Sequence, residues 1–155
     1  MPARIDDTMM SLLSFGDRYV TYALSKQLSM HGFDITADQF LILKNLWQQD
    51  GVTQQQLACF TQKSKVSIVK LVDGLEKRGL VRRETSPDDR RAKRVVLTEH
   101  GRVIEEAVTK IAAENQAETI AGIDPGELQT CKRVIREILG NIIRMNCEPI
   151  KHYNP

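Results

Sequence analysis

Apolar residues recur along most of this chain at helical spacing, and one stretch alternates instead. Over residues 5–30, Ile5, Met9, Leu12, Leu13, Gly16, Tyr19, Val20, Ala23, Leu24 and Leu28 follow a three-and-four rhythm that predicts a long helix, with Gly32 as its stop. Thr36-Ala37-Asp38-Gln39 has the spacing of a capping box and opens a helix to about Gln49, with Phe40, Leu43, Leu46 and Trp47 inward. Asp50-Gly51 turns the chain, and Val52 is placed to pair briefly as a strand. Thr53-Gln54-Gln55-Gln56 repeats the capping-box spacing and starts a short helix ending near Phe60, with Leu57, Ala58 and Phe60 inward. After the turn Thr61-Gln62-Lys63, Ser64 caps a helix whose apolar positions are Val66, Val69, Leu71, Val72 and Leu75. Gly79 stands where a left-handed C-terminal cap is wanted. Two short helices joined by so tight a turn predict a helix-turn-helix.

The alternating stretch follows at once. Leu80–Glu84 reads as a strand, Ser86-Pro87-Asp88-Asp89 as a turn, and Arg94–Leu97 as the returning strand. A helix-turn-helix followed by a basic-tipped hairpin is the element order of a winged helix. Thr98 then caps a helix carrying Val103, Ile104, Ala107, Ile111 and Ala112, which Gly122 breaks. Asp124-Pro125-Gly126-Glu127 opens the last helix with proline at the first helical position, and Ile123 and Leu128 are spaced as a hydrophobic staple. Leu128, Cys131, Ile135, Ile138 and Ile142 form a heptad-like stripe suited to helix-on-helix packing. The tail from Cys147 to Pro155 is expected to fray. The fold class expected is therefore mainly α with a small β-wing.

Composition narrows the class without naming a function. The 155 residues suit one domain, and 41% apolar with 27% charged residues excludes a disordered chain. No apolar run reaches the length of a membrane span, and the start, Met1 to Asp7, is acidic too early for a secretory signal. Cys59, Cys131 and Cys147 are odd in number and lack CxxC spacing, so a reducing, cytoplasmic setting is expected rather than a disulfide framework. Cys59 and Cys131 are expected in the core, and Cys147 is the exposed thiol. His31, His100 and His152 share no ligand spacing with the cysteines, so no metal site or cofactor is expected. No HExxH, GxSxG or Walker loop is present, and the chain reads as a non-enzyme.

Charge changes the picture more. The formal net charge is only +2, but residues 63–94 hold eleven bases against five acids, while the remainder is mildly acidic. A basic middle between acidic flanks is the asymmetry expected of a nucleic-acid reader.

Two runs then become recognisable. Leu75-Glu76-Lys77-Arg78-Gly79-Leu80-Val81-Arg82-Arg83 resembles the recognition-helix exit of MarR-family transcriptional regulators. The run from Asp88 to Gly101 resembles that family's wing: Asp89 and Arg91 match its Asp-x-Arg pair, and Leu97, Thr98 and Gly101 match Leu-Thr-x-x-Gly. The resemblance implies one domain over 1–155: a winged-helix DNA-binding lobe at 36–98, and dimerisation helices at 5–30 and 99–146. It implies a homodimeric repressor or activator of double-stranded DNA at a pseudo-palindromic operator, with a ligand site between dimerisation region and lobe. A small aromatic or phenolic effector fits such a protein, and Phe15, Tyr19, Tyr22 and Trp47 are the candidates to line its pocket. The family's peroxide sensors commonly carry a cysteine in the first helix, and this chain has none there.

Within this frame the helix at 64–78 is the groove reader. Ser64, Lys65, Ser67, Ile68 and Lys70 lie on or near its first turns. The two lysines suit guanine O6 or N7, or phosphate alone, and Ser64 serves equally as a plain N-cap. Val66, Val69 and Leu75 are expected in the core. Thr53, Gln54 and Gln55 open the preceding helix, whose amides can meet phosphate. Arg90, Arg91, Lys93 and Arg94 are expected around the hairpin tip, where an arginine entering a narrow minor groove meets enhanced negative potential, and Asp89 would hold the Arg91 guanidinium. Arg82 and Arg83 alternate in direction, so one of them at most faces DNA; Arg83 is the candidate. The competing reading is a helical protein-interaction adaptor that keeps the winged shape without reading DNA, and the basic hairpin tip argues against it.

Overall fold

A computed structural model describes residues 7–87 and 91–145. Among the described residues the order is α1 (Met9–Met30), α2 (Ala37–Gln48), β1 (Val52–Thr53), α3 (Gln54–Thr61), α4 (Lys65–Lys77), β2 (Val81–Thr85), β3 (Lys93–Leu97), α5 (Glu99–Val103), α6 (Glu105–Thr119) and α7 (Pro125–Met145). Ile5 and the segment from Asn146 onward, Cys147 included, lie outside the described residues. The chain divides into two compact units, residues 1–116 and 117–155.

The caps read from sequence set the helix starts of the first unit. Thr36 Oγ1 accepts from the Gln39 amide at 3.2 Å, and Gln39 Oε1 accepts from the Thr36 amide at 3.1 Å. Thr53 and Gln56 exchange the same pair at 3.2 and 2.8 Å. Each box satisfies two amides that a helix start leaves without partners. Thr8 caps α1, so that helix begins at Met9 rather than at residue 5. Gly79, at φ 67°, follows the C-terminus of α4 and turns the chain into β2. There the Gly79 and Leu80 amides donate to Glu76 O at 2.9 Å and Leu75 O at 3.0 Å.

The sheet is antiparallel in the order β1-β3-β2. Val81 faces Leu97 and Thr85 faces Lys93 across the hairpin, and Val52 faces Val95. Val81, Val95 and Leu97 point into the core, with Leu46, Leu57, Ile68, Val72, Leu75 and Val108 fully buried around them. This core ties α2, α3, α4, the sheet, Ile104 after α5 and the first part of α6 into one lobe, with Leu28 of α1 buried in it.

Four local expectations need correction. In α4 the buried stripe is Ile68, Val72 and Leu75, while Val66 is 66% exposed and Val69 41%. Residue type alone offered two apolar stripes on that helix, and the one containing Ile68 meets the core. Phe60 is 49% exposed because α3 turns only Leu57 and Ala58 inward. Thr98 caps a five-residue helix, not a long one: the hydrogen-bond track loosens at Ile104 before α6 resumes. Cys131 is exposed, because no residue of α7 is fully buried in the chain.

The second unit is built on α7. Asp124 Oδ1 accepts from the amides of Gly126 and Glu127 at 2.9 and 3.0 Å, which caps the helix. Leu128, Ile135, Ile138 and Ile142 are half-buried along it.

Candidate nucleic-acid interface

Helix α4 presents its first turns to solvent. Ser64 Oγ accepts from the Ser67 amide at 3.1 Å and lies 2.9 Å from Ser67 Oγ, so both hydroxyls are gathered at the helix start. Lys65 and Lys70 are exposed, and neither forms an ion pair with another described residue. Thr53 is occupied as the α3 cap.

Arg83 is held from four sides. Its guanidinium reaches Glu76 at 2.6 Å and Asp73 at 2.7 Å, donates Nε–H to Gln54 Oε1 at 2.9 Å, and donates from Nη2 to Val69 O at 3.2 Å. The Arg83 amide also donates to Glu76 Oε1 at 2.9 Å. The side chain expected to face DNA therefore ties β2 to α3 and α4, and Gln54 is committed to the same clamp. Asp73 and Glu76, three apart on α4, were not singled out in the sequence, although that spacing opposite a strand arginine is a readable signal.

The hairpin divides into a base and an outer end. Arg94 is half-buried and donates Nε–H to Gly51 O, so it braces the base instead of joining the tip. Asp50, also missed from sequence, accepts from the Leu97 amide at 2.9 Å and pairs with Arg102. Thr98 Oγ1 donates to Gly79 O at 2.5 Å, fixing the exit of the hairpin beside the exit of α4. A Cβ on Gly101 would stand 2.1 Å from Leu80 O, so only glycine lets α5 approach this closely. Towards the outer end, Arg91 is exposed and Lys93 donates Nζ–H to Thr85 Oγ1 at 3.2 Å. Asp89 and Arg90 lie outside the described residues.

The basic block is thus less positive outwardly than its count. Lys63, Arg78, Arg82 and Arg83 are paired with Asp38, Asp34, Glu84 and the Asp73–Glu76 pair. Lys65 and Lys70 of α4 stand outside these pairs.

The four aromatic pocket candidates are dispersed. Tyr19 and Tyr22 are exposed on α1, and Phe15 is half-buried there. Trp47 packs against the core, with its ring centroid 6.3 Å from that of Phe40 and Nε1–H donating to Gly101 O at 2.9 Å. A cleft of about 310 Å³ in the same lobe is lined by Gly32 to Ile35, Arg78, Leu80, His100 and Ile104, and none of the four lines it. Among the described residues no His, Cys, Asp or Glu cluster could hold a metal, and no helix is long and apolar enough to cross a membrane.

A two-helix unit with an exposed second helix, closed by a basic hairpin on a three-stranded sheet, defines a winged helix-turn-helix DNA-binding protein. The sequence model of the MarR family matches residues 35–93, from just before α2 to the first residue of β3. The solved transcriptional regulator PA3341 is 33% identical over 88% of this chain and 99% of its own, with a TM-score of 0.74. A MarR transcriptional regulator from Methanosarcina mazei Go1 is 25% identical over 90% of this chain and 99% of its own, at TM-score 0.76. CouR from Rhodococcus jostii RHA1, solved bound to p-coumaroyl-CoA, is 27% identical over 89% of this chain and 95% of its own, at TM-score 0.71. The chain belongs to the MarR family and is a DNA-binding transcriptional regulator.

Proposed function

We propose that this protein is a cytoplasmic, non-catalytic homodimer that represses from a pseudo-palindromic double-stranded operator and leaves it on binding a small aromatic or phenolic effector. The observation that carries the reading is the exposed start of α4, with Ser64, Lys65, Ser67 and Lys70 together, in one lobe with a hairpin bearing Arg91 and Lys93. In this reading α4 enters the major groove and backbone amides at the start of α3, after the Thr53 cap and from Gln54 on, meet phosphate. Arg90, Arg91 and Lys93 serve the minor groove, with Asp89 holding the Arg91 guanidinium. Arg83 is reassigned from DNA contact to bracing, because its donors already have partners.

The lobe at 36–98 reads DNA, and the segments 5–30 and 99–146 dimerise. Exposed Met9, Met10, Leu12, Tyr19 and Val20 on α1 favour this, as does the half-buried apolar stripe of α7. CouR's bound p-coumaroyl-CoA supports an aromatic effector.

Selection of tight-binding duplexes from a random library tests the reading, with light scattering of the free protein. The expected result is a dimer and an inverted repeat whose half-sites are centred about 34–36 Å apart. A monomer, or a library with no enriched sequence, would overturn it.

A further inference from the structure

Two valines on α4 carry side chains that lie outside its buried stripe. Ile68, Val72 and Leu75 make the buried face of that helix; Val66 stands on the opposite side at 66% exposure and Val69 on the flank at 41%. Valine is among the weaker helix formers because its branched Cβ loses rotamer freedom against the preceding turn, so helix propensity does not account for two of them there. Lys65 and Lys70, both exposed, flank them, with Ser64 at the helix start and Ser67 between the two valines in sequence. Val69 is anchored as well, since its carbonyl accepts from Arg83 at 3.2 Å. The result is a small apolar spot bordered by Lys65, Lys70 and the two serine hydroxyls, with the Arg83–Asp73–Glu76 clamp beyond Val69.

We infer that Val66 and Val69 determine sequence preference by packing against thymine C5-methyl groups in the major groove. This inference rests on the reading of α4 as the groove helix. The occupant follows from chemistry: the flanking lysines select a polyanion, and the methyl of thymine is the apolar group that base edges offer in that groove. Two valines are too little area for a packed protein partner. The hydroxyls and lysines place the duplex, and the valines discriminate between thymine and the other bases.

The test uses the full-length protein and the duplex enriched by selection, with thymine replaced by deoxyuridine one position at a time. Deoxyuridine keeps every hydrogen bond and removes only the methyl. The expected result is a loss of about fourfold in affinity at one or two thymines per half-site, the value of one buried methyl. The double variant Val66→Ala/Val69→Ala, changed at exposed positions, should bind thymine and deoxyuridine duplexes alike. The inference is overturned if the wild-type protein binds both duplexes equally while preferring them to a scrambled one, a result that leaves the DNA reading intact. It is also overturned if the methyl preference survives in the double variant, or if the enriched half-sites contain no thymine. Absence of any preference over the scrambled duplex defeats the DNA reading itself, and this inference with it.

Discussion

Replacing Arg83 with alanine separates two roles that the sequence left together. The side chain is 19% exposed, and its partners Asp73 and Glu76 are 48% and 40% exposed. Ion pairs this open to water contribute about 0.2–1 kcal/mol each. The hydrogen bonds to Gln54 Oε1 and Val69 O add about 0.5–1.5 kcal/mol each in net terms. Taking the lower half of these ranges for solvent screening, the clamp stabilises the lobe by about 2 kcal/mol. For a chain of this length that corresponds to a drop of about 4–8 °C in Tm, read by circular dichroism. Operator affinity should fall as α4 loosens, but the slope of log affinity against log salt should stay that of the wild type. A phosphate contact contributes about 0.9 to that slope. If Arg83→Ala lowered the slope by about 0.9 and left Tm unchanged, Arg83 would be a DNA contact and the bracing argument would be wrong.

Other outcomes follow from the same geometry. Arg91→Ala should weaken operator binding by about 1–3 kcal/mol with the dimer and fold intact, and an unchanged Kd in anisotropy titrations would remove Arg91 from the interface. Gly101→Ala forces a Cβ against Leu80 O and should cost at least about 2 kcal/mol in urea unfolding; a wild-type midpoint would mean that α5 does not approach so closely. Leu75→Ala, at a fully buried position of the α4 core face, should cost about 2–5 kcal/mol, and a loss under 1 kcal/mol would contradict the assigned helix phase.

Much of the lobe was legible because its signals are local. Thr36 with Gln39, Thr53 with Gln56, Ser64 and Gly79 each act within four residues, and all four stand where their spacing put them. The phase of α4 was not, since Val66 and Ile68 are alike in hydrophobicity and only the facing helices decide which is covered. Arg83 and Arg94 share the charge of Lys65, yet partners distant in sequence hold them to the protein. A count of bases cannot separate cations that brace a fold from those that meet a ligand. Cys131 shows the converse: its stripe on α7 is real, but a stripe does not say what covers it.

The central claim is that α4 and the hairpin read DNA by sequence. Fluorescence anisotropy of the purified protein on the selected duplex tests it most directly, with a scrambled duplex of equal length, each at two salt concentrations. Preference for the selected duplex is expected, with both duplexes weakening with salt steeply enough to count several phosphates at about 0.9 per contact. Equal affinity for the two duplexes, or binding indifferent to salt, would contradict it and favour a protein-interaction adaptor.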